Sequence, residues 1–306
     1  MRKFKFLFTL NFLIFSSICF CNEENNYHTQ SWGWLKRAPS NLYQLGHEAI
    51  DKKNRNTMFY LAALTGVLIY YDQVIIDKSQ QFSRHIGLLN DNQNGRETNT
   101  TTLFSVNGTP VPFHRPSNAI SGMYYLGDGL VQVPIMAGFL SYGLIAEDNK
   151  AVHTSSLIAE SLLITGITVQ LLKRSFGREA PFVATKDRGT WRPFPDFNEY
   201  NSNVPHYDAM PSGHLATVMA TTTVIAGMYP NHRYIWPTGY TVMGLLGFGM
   251  LVNGVHWASD YPLGLAIGYT AGKIVLNNSQ RQSENNSMVI PQLMPDGIVF
   301  KMTKPF

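Results

Sequence analysis

Residues 234–272 carry a single charged side chain, Asp260, and this stretch constrains the fold more than any other feature of the chain. So long an uncharged run is stable only away from water, in the middle of a helical bundle or in lipid. The pattern recurs. Segments 57–71, 129–146, 151–173, 212–228, 234–255 and 263–276 read as apolar helices, the third with Glu160 inside it. Residues 27–56 are polar with a helical tendency. Residues 78–121 hold Asn94-Gly95 and Asn107-Gly108 and read as loop. Residues 174–211 form a second polar connection dense in Arg, Pro and aromatic residues. The expectation is an all-α fold, a helical bundle of about six core helices, with a small C-terminal β-like hairpin around Pro295-Asp296-Gly297.

Composition narrows the setting. Only 14% of residues are charged, against about 25% in an average soluble domain. Segments 129–146 and 234–255 reach the ~18 uncharged residues of a membrane span, whereas the other runs give about 12 to 15. Gly244, Gly247, Gly249, Thr217, Thr221, Thr222 and Thr223 permit close helix packing in lipid or in a soluble bundle. The expected setting is the membrane, with a soluble periplasmic bundle as the alternative. A net charge of +4 without a basic run argues against a nucleic-acid partner.

The N-terminus reads as an export signal: Arg2, Lys3 and Lys5, then an apolar stretch 6–20, then the polar run from Asn22. Cleavage before Asn22 would remove Cys19 and Cys21 and leave a mature chain without cysteine. The expected divisions are a signal peptide at 1–21, a helical and polar-loop region at 22–121, a helical domain at 122–278 that carries the chemical motifs, and a tail at 279–306. The expected product is an exported multi-pass envelope protein whose site faces the periplasm.

Pro211-Ser212-Gly213-His214 is the most informative tetrapeptide. Ser212 is a good N-cap before an apolar helix, and a helix start offers free N–H groups and partial positive charge to an anion. Gly213 admits close approach, and His214 adds a proton donor that titrates near neutrality. His256 and Asp260, four apart in His256-Trp257-Ala258-Ser259-Asp260, can form a pair in which the carboxylate holds one ring nitrogen and leaves the other nucleophilic. The helices 212–228 and 234–255 are joined by a five-residue turn and must run antiparallel, so the start of one and the end of the other share a face. Lys173 reaches that face if the connection 174–211 closes there. Arg174 and Arg178 supply further cations.

With these residues in place the chain resembles the type 2 phosphatidic acid phosphatase and vanadium haloperoxidase superfamily, over about residues 120–275. The resemblance implies that Lys173 binds phosphate, that Ser212 and the Gly213 backbone hold phosphate oxygens, and that His214 protonates the leaving oxygen. His256 would attack phosphorus, with Asp260 orienting it, and no metal or cofactor is implied. The substrate would be a phosphorylated lipid or a small phosphate ester.

Two positions depart from the family's pattern. Ala180-Pro181 stands where its first motif has Arg-Pro, and Gly249-Met250 where its third has Ser-Arg. Arg178 is the expected substitute, with Arg174 and Arg192 behind it. Three activities stay open: a metal-independent phosphatase, a catalytically impaired member that binds anionic lipid or serves as an envelope scaffold, and a vanadate-dependent haloperoxidase. The aromatic residues Trp191, Phe194, Phe197, Tyr200 and Tyr207 could form a lid, an interfacial anchor or packing against the bundle. Asp128 reads as an N-cap, and Glu160 as polar glue or a site residue.

Overall fold

Asp148 and Gly177 bracket the helix around which the others pack. The Asp148 carboxylate accepts the Ala151 N–H at 3.1 Å and starts the helix, a typical N-cap. Gly177 ends it in the left-handed region at φ 56°, where a Cβ would stand 1.7 Å from the Arg192 carbonyl oxygen. Lys173 is thereby placed in the last turn.

The computed structural model describes residues 33–88, 98–106, 109–116, 118–127, 129–285, 288–294 and 297–303. The helices are α1 (Gly33–Ile50), α2 (Arg55–His85), α3 (Ala119–Tyr125), α4 (Gly129–Ile145), α5 (Asn149–Phe176), α6 (Phe197–Ser202), α7 (Gly213–Met228), α8 (Ile235–Val252) and α9 (Asp260–Asn285). Two antiparallel hairpins complete the described elements: β1 (Thr98–Val106) with β2 (Thr109–Pro116), and β3 (Met288–Met294) with β4 (Gly297–Thr303).

The core lies between α5, α7 and α9. Leu157, Ile158, Ile164 and Val169 from α5 pack with Ala216 and Val224 from α7 and with Ala271, Ile274 and Val275 from α9. Glycine permits the tightest contact. A Cβ at Gly264 or Gly268 would lie 2.5 Å from the Ser212 carbonyl oxygen or 2.1 Å from that of Ala216, so α9 presses backbone to backbone on α7. A second cluster joins Leu215, Val218 and Met219 of α7 to Met243, Leu246 and Met250 of α8.

The fold is an all-α, membrane-embedded bundle. Among the described residues three helices are long and apolar enough to cross a membrane: Lys52–His85, Asn149–Phe176 and Ile235–Val252. On α2, Phe59, Tyr60, Leu64, Val67 and Val74 are exposed, an apolar surface that suits lipid better than water. The spans correct the sequence reading in two places. Segment 129–146 forms a shorter helix, and the first and third apolar segments extend well beyond their uncharged cores.

The reading of 78–121 as loop is also corrected, because α2 continues to His85 and β1 and β2 form a hairpin. Beyond residue 71 the apolar stripe of α2 narrows to Asp72, Ile76 and Ser83, buried at helical spacing but too polar to read as a core face. At the other end the helix read at 263–276 continues to Asn285, into the segment expected as the tail. Glu160 is polar glue: fully buried, it accepts Arg37 Nη2 at 2.7 Å and Asn41 Nδ2 at 2.5 Å and fastens α1 to α5. The expected signal segment 1–21 with Cys19 and Cys21, Asp128, and Pro295 and Asp296 of the expected hairpin turn lie outside the described residues.

Candidate active site

The connection between α5 and α7 folds back over the ends of α7 and α8. Glu179 organises it. Its fully buried carboxylate accepts the N–H groups of Thr185 and Thr190, Arg192 Nη1 at 2.9 Å and a bond from His206 Nδ1 at 3.1 Å. Burial favours its neutral form, but these donors outweigh that and hold its pKa at about 2. Backbone bonds from Ala180 N to Pro205 O, Ala209 N to Arg178 O and Phe182 N to Gly254 O tie the connection to itself and to the end of α8.

Beneath this connection lies a cavity of about 260 Å³. Lys173, Asp208, His214, Asn253 and His256 line it together with Tyr124. The two imidazoles that the sequence placed on a common face do meet, with ring centroids 5.9 Å apart, and His214 also packs on Tyr124 at 4.7 Å.

His256 is held by its Nδ1, which lies 2.6 Å from the Ala209 carbonyl oxygen and 3.4 Å from Asp260 Oδ2. A carbonyl only accepts, so Nδ1 carries a proton, and in the neutral ring the free lone pair is then on Nε2. His214 differs electrostatically. Burial, and then the proximity of His256 and Lys173, push its pKa well below the ordinary imidazole value, so it rests neutral.

Asp260 is fixed from several sides. Its Oδ2 accepts the Trp257 N–H at 2.8 Å, and its Oδ1 accepts Arg178 Nη1 at 2.7 Å. Arg178 is fully buried between the rings of Trp191 and Trp257, and it also donates to Ser259 Oγ at 2.6 Å and to Asp72 Oδ2 at 2.7 Å. Asp72 reaches in from α2 and in turn accepts Ser259 Oγ at 2.5 Å and its N–H at 3.0 Å.

This arrangement corrects the expected role of Arg178. Its Nη atoms are committed to carboxylates and it does not line the cavity, so it braces Asp260 instead of meeting a ligand. The reserve candidates are also engaged elsewhere: Arg174 with Gln170 and Arg192 with Glu179. Among the described residues Lys173 is the one Lys or Arg side chain lining the cavity, and its Nζ sits 3.1 Å from Asp208. Ser212 and Gly213 are not among the lining residues. The Ser212 hydroxyl caps the Leu215 N–H at 3.5 Å and donates to the Met250 sulfur at 3.7 Å. Of the aromatic residues, Tyr200 and Tyr207 are buried as packing, whereas Phe194 and Phe197 are exposed.

Asp72, Asp208 and Asn253 are site residues that the sequence reading missed. Asp72 carried the signal that singled out Glu160, an acid among apolar residues at helical spacing. Among the described residues no group of three or more His, Cys, Asp or Glu side chains is arranged to hold a metal ion.

Residues 156–284, which include Lys173, the histidines and Asp260, match the family model described as PAP2 superfamily. Over that segment, less than half of the chain, the protein is similar to that superfamily. A curated relative, the lipid A 1-phosphatase of Porphyromonas gingivalis, is 31% identical over 146 residues, which are 46% of this chain and 28% of that protein. The chain thus spans little more than a quarter of the length of the curated relative it matches. Two crystal structures are similar. That of Aquifex aeolicus LpxE covers 52% of this chain and 83% of its own at 22% identity, with a TM-score of 0.39. That of a transmembrane PAP2 type phosphatidylglycerolphosphate phosphatase from Bacillus subtilis covers 73% of this chain and 96% of its own at 14% identity, with a TM-score of 0.38.

Proposed function

We propose that the protein is a phosphatase that hydrolyses phosphate esters, lipid-linked ones first, through a phosphohistidine at His256. The observation that carries this reading is the His256 geometry: Nδ1 is occupied by Ala209 O and Asp260, so Nε2 is nucleophilic on a ring that faces the same cavity as His214. In the first step Nε2 forms a bond to phosphorus while the ester P–O bond breaks, and the departing oxygen takes a proton from His214. In the second, water forms a bond to phosphorus as the P–N bond breaks and returns its electron pair to Nε2, His214 accepts the proton of the water, and phosphate leaves. His214 must gain a proton before the first step, which an arriving phosphate anion favours by offsetting the nearby positive charge of Lys173. Lys173 binds a phosphate oxygen once its contact with Asp208 loosens. No step calls for a metal.

The lipid preference draws on the membrane-embedded bundle, on the family match and on the relative named for a lipid phosphatase. We infer further that the protein is an exported multi-pass envelope protein whose cavity faces the periplasm, a reading whose multi-pass part is supported by the three membrane-length helices among the described residues.

A second reading, a member that binds anionic lipid without turning it over, is favoured by one observation. Ala180 lines the cavity and Met250 is fully buried in the α7–α8 core, so the positions where the family pattern has guanidinium groups, which would stabilise a phosphoryl transition state, carry apolar side chains. The purified protein, given a panel of lipid and soluble phosphates in EDTA, separates the two. Phosphate release that is abolished in His256→Ala supports the phosphatase. Silence of both proteins, with retained binding of anionic vesicles, supports the second reading.

A further inference from the structure

Asn253 ends α8 three residues after Met250, which puts the two on one helical face, and Asn253 lines the cavity. It is 3% exposed, and neither its Nδ2 nor its Oδ1 has a hydrogen-bond partner among the described residues. A buried amide with both ends unpaired lowers stability, and such groups are rare in folded proteins. The backbone does not account for it, because the Asn253 N–H already bonds Gly249 O at 2.9 Å. Neighbouring polar groups are engaged: Lys173 with Asp208, the Ser121 hydroxyl with the Asn118 backbone, and His256 Nδ1 with Ala209 O. Met250 itself is fully buried, with its sulfur against Ser212, and offers the cavity no donor.

We propose that Asn253 is a substrate-binding residue whose Nδ2 donates a hydrogen bond to a phosphoryl oxygen held between His214, His256 and Lys173. This inference deepens the phosphatase reading and rests on the anion site that reading describes. A neutral amide supplies direction without charge. Beside a single Lys–Asp pair, it suits a phosphoryl group carrying fewer negative charges than an arginine-lined site would accept.

The test uses the full chain in detergent and orthovanadate as the probe, with binding read from the ligand-induced rise in melting temperature. Asn253→Leu removes both amide atoms at similar volume. The expected result is a paired one: vanadate affinity falls about 10- to 100-fold, as for the loss of one hydrogen bond to a charged ligand, while the ligand-free protein melts about 2 °C or more higher because an unpaired buried polar group has gone. Asn253→Asp, which turns a donor into a charge facing the anion, should weaken vanadate more than Leu does. Unchanged affinity in Asn253→Leu overturns the proposal, and so does a wild type that binds no vanadate. If wild type binds vanadate through Asn253 yet releases phosphate from no ester, the inference stands and the phosphatase reading fails.

Discussion

Replacing Asp72 with alanine tests whether the brace behind Asp260 holds the site together. Asp72 is fully buried and accepts three hydrogen bonds, from Arg178 Nη2 at 2.7 Å, Ser259 Oγ at 2.5 Å and the Ser259 N–H at 3.0 Å. Its removal leaves one guanidinium nitrogen short of a carboxylate and the Ser259 N–H unpaired in the interior. Breaking one side of a buried ion pair costs about 3–5 kcal/mol. At about 2–4 °C per kcal/mol for a domain of this size, the melting temperature should fall by roughly 6–20 °C. Trp191 and Trp257 sandwich Arg178, so intrinsic fluorescence of the detergent-solubilised protein reports the change directly. Asp72→Asn keeps the shape and an acceptor and should fall between wild type and alanine. Because Arg178 also serves Asp260, the Asp72→Ala and Arg178→Ala losses should fall short of additive in the double variant. A melting temperature within about 2 °C of wild type for Asp72→Ala would mean that the network is worth no more than an exposed pair, and the bracing argument would fail.

Three further outcomes follow from the same geometry. His214 rests neutral and must be protonated to act as an acid, so kcat/KM should rise as pH falls from 8 toward 5. Lys173→Met removes a neighbour that lowers the His214 pKa and should move that limb to higher pH; a limb that stays put, followed with a good soluble leaving group, would detach Lys173 from His214. Glu179 has its folded pKa depressed to about 2, so its contribution is full above the unfolded carboxylate value near 4.3 and is lost as pH falls toward 2. Melting curves of Glu179→Gln should therefore depend less on pH across that window than those of wild type, and parallel curves would refute the assignment. Gly268→Ala puts a Cβ 2.1 Å from the Ala216 carbonyl oxygen and should destabilise the α7–α9 contact by about 1–3 kcal/mol, whereas Gly244→Ala, with open space around it, should not. Equal melting temperatures for these two variants would count against the close-packed core.

The legible parts of this chain were the local ones. Uncharged runs mark the helices, and Ser212 marks the start of α7, because each depends on residues within one or two turns. The antiparallel turn at 229–233 was enough to bring His214 near His256. Arg178 misled because its partner Asp72 lies 106 positions earlier, and no spacing within the motif reveals on which side of Asp260 a guanidinium will find a carboxylate. The polar end of α2 was hidden for a similar reason: Asp72 and Ser83 are buried by contacts to distant segments, and a polar residue facing the core looks from sequence like one facing water. Asn253 stood out only once its amide was seen to lack a partner.

The central claim is that Nε2 of His256 forms a bond to phosphorus. Incubation of the protein with ¹⁸O-labelled inorganic phosphate in ordinary water tests it without knowledge of the natural leaving group, because each reversible formation of phosphohistidine releases one labelled oxygen as water. The account predicts steady loss of label with wild type, in EDTA as well as without it, and none with His256→Ala. Loss of label that persists in His256→Ala, or its absence in a wild type that hydrolyses esters, would contradict it.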